Sequence, residues 1–132
     1  GEGAFLLDGA KEVCKYLYGK YKLGIVTNGM KEVQYSRIGK SPIGKYIDKI
    51  IISEEVGISK PNPGIFEYAL KELGAEDKEE AIMVGDSLSA DIQGGINFGI
   101  DTCWVNLKND APNDKIKPKY VVTKLEEICN IL

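Results

Sequence analysis

The chain has 132 residues, of which 43% are hydrophobic and 28% charged, and its formal net charge is −3 at pH 7. This length and composition predict one domain, residues 1–132, with a single sizeable core. The charges are scattered, whereas nucleic-acid binding depends on clustered positive charge. No apolar run approaches the roughly 18 residues of a membrane span, and no secretory pattern is present. We therefore expect a cytoplasmic protein with neither nucleic-acid nor membrane partners.

The cysteine and histidine content narrows the possible chemistry. Cys14, Cys103 and Cys129 are odd in number and share no CxxC spacing. We therefore expect reduced thiols, buried as small apolar side chains in a cytosolic fold. The sequence contains no histidine, which excludes Ser-His-Asp triads and histidine-bearing metal sites.

The first part of the chain alternates a helical pattern with two strand patterns. Residues 9–21, "GAKEVCKYLYGKY", place apolar side chains on one helical face. The β-branched run "KLGIVTNG", residues 22–29, stops at turn residues, and "KIIIS", residues 49–53, is a second strand candidate.

The second part continues the alternation. Residues 62–74, "NPGIFEYALKELG", form an amphipathic helical pattern that ends on a glycine. Further strand candidates are residues 81–86, 101–106 and 119–123, and the polar stretch 106–119 is predicted to be a surface loop. Apolar strands alternating with amphipathic helices predict an α/β fold, a three-layer α/β/α doubly wound (Rossmann-like) parallel sheet of about five strands.

Ligands of such sheets bind at the carboxyl ends of the strands, so the residues that follow each strand are candidates for a site. Thr27, Asn28 and Gly29 follow the first of the predicted strands and offer a hydroxyl and backbone N–H groups to an anion such as phosphate. Asn-Gly is also a common turn sequence, which is the structural alternative. Lys60 stands in "SKPNPG", where Pro61 favours an extended backbone and Pro63 starts the next helix, so it is either a positioned cation or a solvated lysine.

Two aspartates follow the strand at 81–86, in "MVGDSLSADIQGG". Gly85 would allow a tight turn, Asp86 ends the strand, and Asp91 falls in the first turn of the next helix. Two close carboxylates repel unless a cation neutralises them. Mg²⁺ suits them, because it is held by one or two carboxylates with waters and phosphate. Helix capping by Ser89 or Asp91 is the alternative that needs no metal.

Taken together, "IVTNG", "SKPNPGIFEYAL" and "VGDSLSADIQGG" resemble, in order and spacing, the second, third and fourth motifs of the haloacid dehalogenase-like hydrolases. The segment from residue 9 to 38 is most similar to the branch containing small-molecule phosphatases and pyrimidine 5′-nucleotidases. The resemblance implies a Mg²⁺-dependent phosphatase acting on a small phosphorylated metabolite. It also implies that the phosphoryl group is bound by Thr27, Asn28, Gly29 and Lys60, with Thr27 and Lys60 catalytic, and that Mg²⁺ is held by Asp86 and Asp91.

The family's first motif, DxDxT, is missing, because no two aspartates in the chain are separated by one residue. In one alignment, which we favour, residues 7–18 are the helix that follows the inserted cap domain, and the cap and the nucleophile strand lie upstream. In the other, "AFLLDG" is a degenerate nucleophile strand, with Leu6 at the nucleophile position and Asp8 at the second. Both alignments predict that these 132 residues alone are inactive, because the attacking carboxylate is missing.

The resemblance also raises a structural problem, because the family's first strand lies in the middle of the sheet. Removing it would leave two unpaired edges, beside the strands ending at Thr27 and Gly85. We hypothesise that residues 4–7 fill this position, or that a strand from a second chain does so by self-association. Two other functions stay open: a non-catalytic phosphate and Mg²⁺ binding module, and a receiver-type phosphoacceptor domain, which the order of the motifs disfavours.

Overall fold

The computed structural model describes residues 4–8, 21–28, 30, 47–75, 77–124 and 127–128, the first of these segments as backbone. They contain one parallel sheet of six strands, ordered β3-β2-β1-β4-β5-β6. The strands are β1 (Ala4–Asp8), β2 (Lys22–Thr27), β3 (Lys49–Ile52), β4 (Ala81–Gly85), β5 (Asp101–Val105) and β6 (Tyr120–Val122). The five strand candidates of the sequence are thus confirmed, and β1 is a sixth strand.

Helical segments follow or connect these strands. In chain order they are α1 (Ser53–Val56), α2 (Pro63–Leu73), a 3₁₀ turn (Lys78–Glu80), a π-helical turn (Leu88–Ile92) and α3 (Gln93–Phe98). The predicted helix at 62–74 is confirmed: the Asn62 side chain accepts a hydrogen bond from the Gly64 N–H at 2.8 Å, and Gly74 ends α2 with φ +69°. The helix predicted from residue 9 lies outside the described residues, apart from Tyr21, which is extended.

The central strand position is filled by the chain itself. β1 pairs in parallel with both β2 and β4, so that Leu7 stands opposite Ile25 on one side and Val84 on the other. The hypothesis that residues 4–7 occupy this position is confirmed, and both backbone edges beside it are paired. The favoured alignment predicts a helix that begins at Leu7. This prediction is wrong for its first two residues, because Leu7 and Asp8 belong to β1.

Burial of the central strands confirms the layered α/β architecture. All five residues of β4 are buried, which requires cover on both faces of the sheet because successive side chains point to opposite faces. On one face, α2 supplies the buried side chains Ile65, Phe66, Ala69, Leu70 and Leu73. The ring of Phe66 stacks on Phe98 of α3 with centroids 6.1 Å apart.

The end of β5 leads into the long polar stretch predicted to be a surface loop. Residues 107–115 are all exposed, which confirms the prediction. The side chain of Asn106 closes the start of this loop, because its amide donates to the Asp110 carbonyl at 3.0 Å and accepts from the Asp110 N–H at 2.9 Å. Among the described residues, the helices are all too short to cross a bilayer.

Candidate active site at the carboxyl ends of β2 and β4

The end of β2 places two of the predicted site residues side by side. Thr27 is the last residue of the strand, and only 4% of its surface is exposed. Asn28 follows it and is exposed, while Gly29 lies outside the described residues. A buried hydroxyl at the open end of a central strand is suited to hydrogen bonding with a ligand that enters from that end.

Lys60 is a buried residue, not a solvated surface lysine, since only 4% of its surface is exposed. Its backbone is bound to the side chain of Asn28 by two hydrogen bonds. The Lys60 N–H donates to Asn28 Oδ1 at 2.9 Å, and Asn28 Nδ2 donates to the Lys60 carbonyl at 3.1 Å. The segment before α2 is therefore fixed directly to the end of β2, across 32 residues of sequence.

The Lys60 ammonium forms an ion pair with Asp91. Its Nζ lies 2.6 Å from Asp91 Oδ1, and neither side chain is exposed to solvent. The other carboxylate oxygen of Asp91 accepts a hydrogen bond from the Ser87 N–H at 3.3 Å. Two buried charges that are both paired and hydrogen-bonded can be tolerated, whereas an unpaired one costs several kcal/mol, on the order of 3 to 5.

Gly85 makes room for this ion pair. A side chain on Gly85 would overlap the carboxylate of Asp91. The structure gives no support to the sequence interpretation that glycine allows a tight turn, because Gly85 is a regular residue of β4 and has no positive φ. What requires glycine at the end of β4 is the close approach of the Asp91 side chain.

Ser87 and Asp91 together start the π-helical turn. The Ala90 N–H donates to Ser87 Oγ at 3.1 Å, and Asp91 accepts from the Ser87 N–H at 3.3 Å. The arrangement is reciprocal like a capping box, except that the returning carboxylate is one residue further along the chain. The predicted capping by Ser89 is wrong, because Ser87 is the N-cap. Asp91 does take part in capping, and it pairs with Lys60 at the same time.

Asp86 differs from Asp91 in exposure, although both follow β4. Asp86 is exposed, whereas Asp91 is fully buried. The Asp86 carbonyl accepts a hydrogen bond from the indole N–H of Trp104 at 3.1 Å. Asp86 and Trp104 also line an open cavity of about 220 Å³ at the ends of β4 and β5.

Trp104 is a contributor that sequence reasoning missed. It was predicted to be core or half-buried, and it is buried, with 5% of its surface exposed. Its position beside Gly85 in the β4–β5 register brings the indole to the residue after Gly85. A buried tryptophan at a strand end, with an N–H that needs an acceptor, was the available signal.

The site offers few protein ligands to a metal ion. No group of three or more His, Cys, Asp or Glu side chains able to hold a metal occurs within the described ranges. Mg²⁺ does not require one, because it keeps several waters and takes one or two carboxylates with substrate phosphate. The exposed carboxylate of Asp86 fits that donor set, and the buried Asp91 is engaged with Lys60.

Comparison with known proteins gives the family of the chain. The family model described as haloacid dehalogenase-like hydrolase matches residues 4–105. The chain belongs to this family of hydrolases. The match extends from β1 to the end of β5, and so includes every predicted site residue.

Relatives of the chain include phosphatases and nucleotidases. It is 40% identical to the pyrimidine 5′-nucleotidase YjjG of Escherichia coli, covering 96% of this chain and 56% of that protein. It is 36% identical to the glyceraldehyde 3-phosphate phosphatase of Pyrococcus furiosus, covering 85% of this chain and 48% of that protein. The chain thus spans about half the length of the curated relatives it matches.

A solved structure shares the fold closely. The magnesium-bound HAD-hydrolase YfnB of Bacillus subtilis superimposes with a TM-score of 0.88 at 38% identity, covering 95% of this chain and 55% of that one. This similarity confirms the Rossmann-like α/β fold.

Proposed function

We propose that this site binds Mg²⁺ and the phosphoryl group of a small phosphomonoester, and that it is the phosphate-handling part of a Mg²⁺-dependent phosphatase. The observation that carries the proposal is the connected site at the ends of β2 and β4. Lys60 forms a buried ion pair with Asp91 and is hydrogen-bonded to Asn28, the residue after the buried Thr27. Asp86 follows β4, the strand that leads into the turn carrying Asp91. Phosphoryl transfer depends mainly on positioning and on neutralising charge, which are the functions such groups supply.

Each group has a distinct role in the proposal. Thr27 and the backbone of Asn28 and Gly29 bind phosphoryl oxygens, and Lys60 neutralises their charge. Asp86 is the exposed ligand of Mg²⁺, and Asp91 supports it by holding Lys60 and the N–H of Ser87, the residue after Asp86. When bound, Mg²⁺ would act as a Lewis acid on the phosphoryl group.

The substrate class is proposed from the relatives. YjjG is named a pyrimidine 5′-nucleotidase and the P. furiosus protein a glyceraldehyde 3-phosphate phosphatase. Both names describe hydrolysis of a phosphate monoester on a small metabolite. We therefore propose small phosphomonoesters as substrates, with pyrimidine nucleotides as the first group to test, and a cytoplasmic location.

The 132 residues by themselves are proposed to lack turnover. The covalent route of the family needs a carboxylate nucleophile, and the chain has no DxD pair. We propose that residues 1–132 are one core domain and that the cap and the attacking carboxylate of the intact enzyme come from outside this segment. Because β1 fills the central strand position, a nucleophile strand supplied from outside would have to replace β1 there.

Asp8 is the residue that could contradict this proposal. It is the last residue of the central strand and stands opposite Gly85 in the register with β4. Because Gly85 immediately precedes Asp86, the backbone of Asp8 lies at the same edge of the sheet as the candidate site.

The decisive assay is Mg²⁺-dependent hydrolysis of p-nitrophenyl phosphate by this chain, with Asp86→Asn as the control for contaminating phosphatase. We expect no turnover above that control, together with measurable binding of inorganic phosphate in the presence of Mg²⁺. Turnover that is lost in both Asp86→Asn and Asp8→Asn would show that Asp8 supplies the carboxylate, and the proposed inactivity would be wrong.

A non-catalytic binding module is the second candidate, supported by the missing DxD pair. It predicts the same phosphate binding without turnover. The two proposals separate when the chain is produced as a continuous protein with the upstream half of a relative such as YjjG. Hydrolysis that depends on Lys60 and Asp86 of this chain supports the phosphatase, and its absence in a folded, phosphate-binding hybrid supports the module.

A further inference from the structure

The side chain of Asn28 has a different set of contacts from the one that the sequence suggests. The sequence predicts a role only for the backbone of Asn28, as part of a phosphate-binding turn. In the structure, both polar atoms of its amide bind the backbone of Lys60, at 2.9 Å and 3.1 Å. The Asn28 amide thus binds both the N–H and the carbonyl of one residue, Lys60. A residue of a neighbouring β-strand makes the same pair of hydrogen bonds.

Asn28 is well placed to fix Lys60 relative to the sheet. It follows Thr27, the last residue of β2, so its backbone is anchored by a strand that is hydrogen-bonded on both sides. Lys60 instead lies between helices, in a stretch with no regular secondary structure. The two hydrogen bonds therefore restrain that irregular stretch relative to β2.

A lysine needs such a fixed backbone if its ammonium is to be held in one place. The lysine side chain has four rotatable bonds and about 2 kcal/mol of rotamer entropy to lose when it is ordered. Lys60 nevertheless reaches Asp91 at 2.6 Å with no exposed side-chain surface. Small displacements of the Lys60 backbone would be carried to the ammonium.

We propose that Asn28 is a positioning residue, whose side chain sets the place of the Lys60 ammonium between Asp91 and the phosphoryl group. This inference rests on the proposed function for the role of Lys60, but the positioning itself is a property of the unliganded chain. Three elements are thereby linked through side chains: the end of β2, the segment before α2, and the turn after β4.

The first experiment reads the Lys60 ammonium directly, by ¹⁵N NMR of lysine side chains without any ligand. A buried ammonium bound to Asp91 exchanges its protons slowly, so we expect a resolved signal that Lys60→Met removes. Asn28→Ala should shift or abolish this signal. Asn28→Asp, which keeps an acceptor for the Lys60 N–H but cannot donate to its carbonyl, should have an intermediate effect.

The matched control is Gly95→Ala. A side chain there would come within 2.7 Å of Thr102 Cγ2, so the variant strains the core from outside the Asn28–Lys60–Asp91 network. It should leave the Lys60 signal in place. An unchanged signal in Asn28→Ala, an equal loss in Gly95→Ala, or no protected Lys60 signal in the wild-type chain would each overturn the proposal.

The second experiment measures binding of inorganic phosphate in the presence of Mg²⁺ by calorimetry. We expect Asn28→Ala and Lys60→Met each to weaken binding about tenfold or more, the loss expected when a charge-assisted hydrogen bond is misaligned. In the Lys60→Met background, the Asn28 substitution should have little further effect. Losses that multiply in the double variant would show that Asn28 acts independently of Lys60 and would overturn its positioning role.

The two experiments test the proposed function and the positioning role of Asn28 separately. No phosphate binding by the wild-type chain would contradict the proposed function, while the NMR result would still decide whether Asn28 positions Lys60.

Discussion

Lys60 and Asp91 form an ion pair with a 2.6 Å separation between Nζ and Oδ1, and both side chains are fully buried. They are 31 residues apart in the sequence, and the Asp91 carboxylate lies against Gly85, the last residue of β4. The pair joins the segment before α2 to the π-helical turn after β4, so it couples the stability of the fold to the organisation of the site.

Lys60→Met is expected to destabilise the chain by about 3 to 5 kcal/mol, because it leaves the Asp91 carboxylate buried without its cation. Urea unfolding at neutral pH measures this change. The double variant Lys60→Met/Asp91→Leu should recover more than half of the loss, since an apolar pair of similar volume removes both charges. Equal or greater destabilisation of the double variant would contradict the importance of the charge pairing.

Gly85→Ala is expected to displace the Asp91 carboxylate, because the added Cβ would overlap it. We expect a loss of about 1 to 3 kcal/mol in the free energy of unfolding, typical of overpacking, together with weaker phosphate binding in Mg²⁺. The control is Gly95→Ala, which strains the core near Thr102. It should lose stability and retain phosphate affinity in the folded fraction; an equal loss of affinity in both variants would contradict a specific role for Gly85.

Trp104 is expected to report on Mg²⁺ binding, because its indole N–H donates to the Asp86 carbonyl and it is the single tryptophan of the chain. Titration with Mg²⁺ should change its fluorescence emission in the wild-type chain. The Asp86→Asn variant should show no such change at the same concentrations. A response that survives this substitution would place the cation elsewhere.

Trp104→Phe should weaken Mg²⁺ binding several-fold, because it removes the hydrogen bond that orients the Asp86 backbone while keeping most of the apolar volume. Calorimetry measures this change. Unaltered Mg²⁺ affinity would show that the indole packs at the site without positioning Asp86.

The pH dependence of stability should show the burial of Cys103. Burial, reinforced by the charge of Glu127, raises the pKa of its thiol from 9.0 to about 12. The protonated thiol is favoured in the folded state, so this contribution is complete below pH 9.0 and is lost as the pH rises toward about 12. Over that window, the free energy of unfolding should fall more steeply for the wild-type chain than for Cys103→Ala.

Urea unfolding at several pH values within this window gives both slopes. Tyrosines and lysines titrate in both proteins, so the difference between the slopes isolates Cys103. Parallel slopes would contradict the raised pKa. In a Cys14→Ser/Cys129→Ser background, a thiol reagent should also label folded Cys103 far more slowly than the unfolded chain.

The sequence by itself determined the class of fold and predicted most of the candidate site. Strand and helix periodicity predicted the parallel α/β sheet, because buried strands and amphipathic helices leave distinct patterns in apolar residues. The strand ends then indicated Thr27, Asp86 and Asp91, because ligands meet these sheets at one known edge. Lys60 was indicated by the two prolines that follow it.

Only the tertiary structure decided how those residues divide their tasks. Asp86 and Asp91 stand five residues apart in similar local sequence, yet one is exposed and the other is buried against Lys60. Exposure and pairing depend on contacts between distant segments, which local patterns do not specify. The same reason explains why the Asn28–Lys60 hydrogen bonds, the indole of Trp104 against Asp86, and the need for glycine at position 85 became visible only in three dimensions.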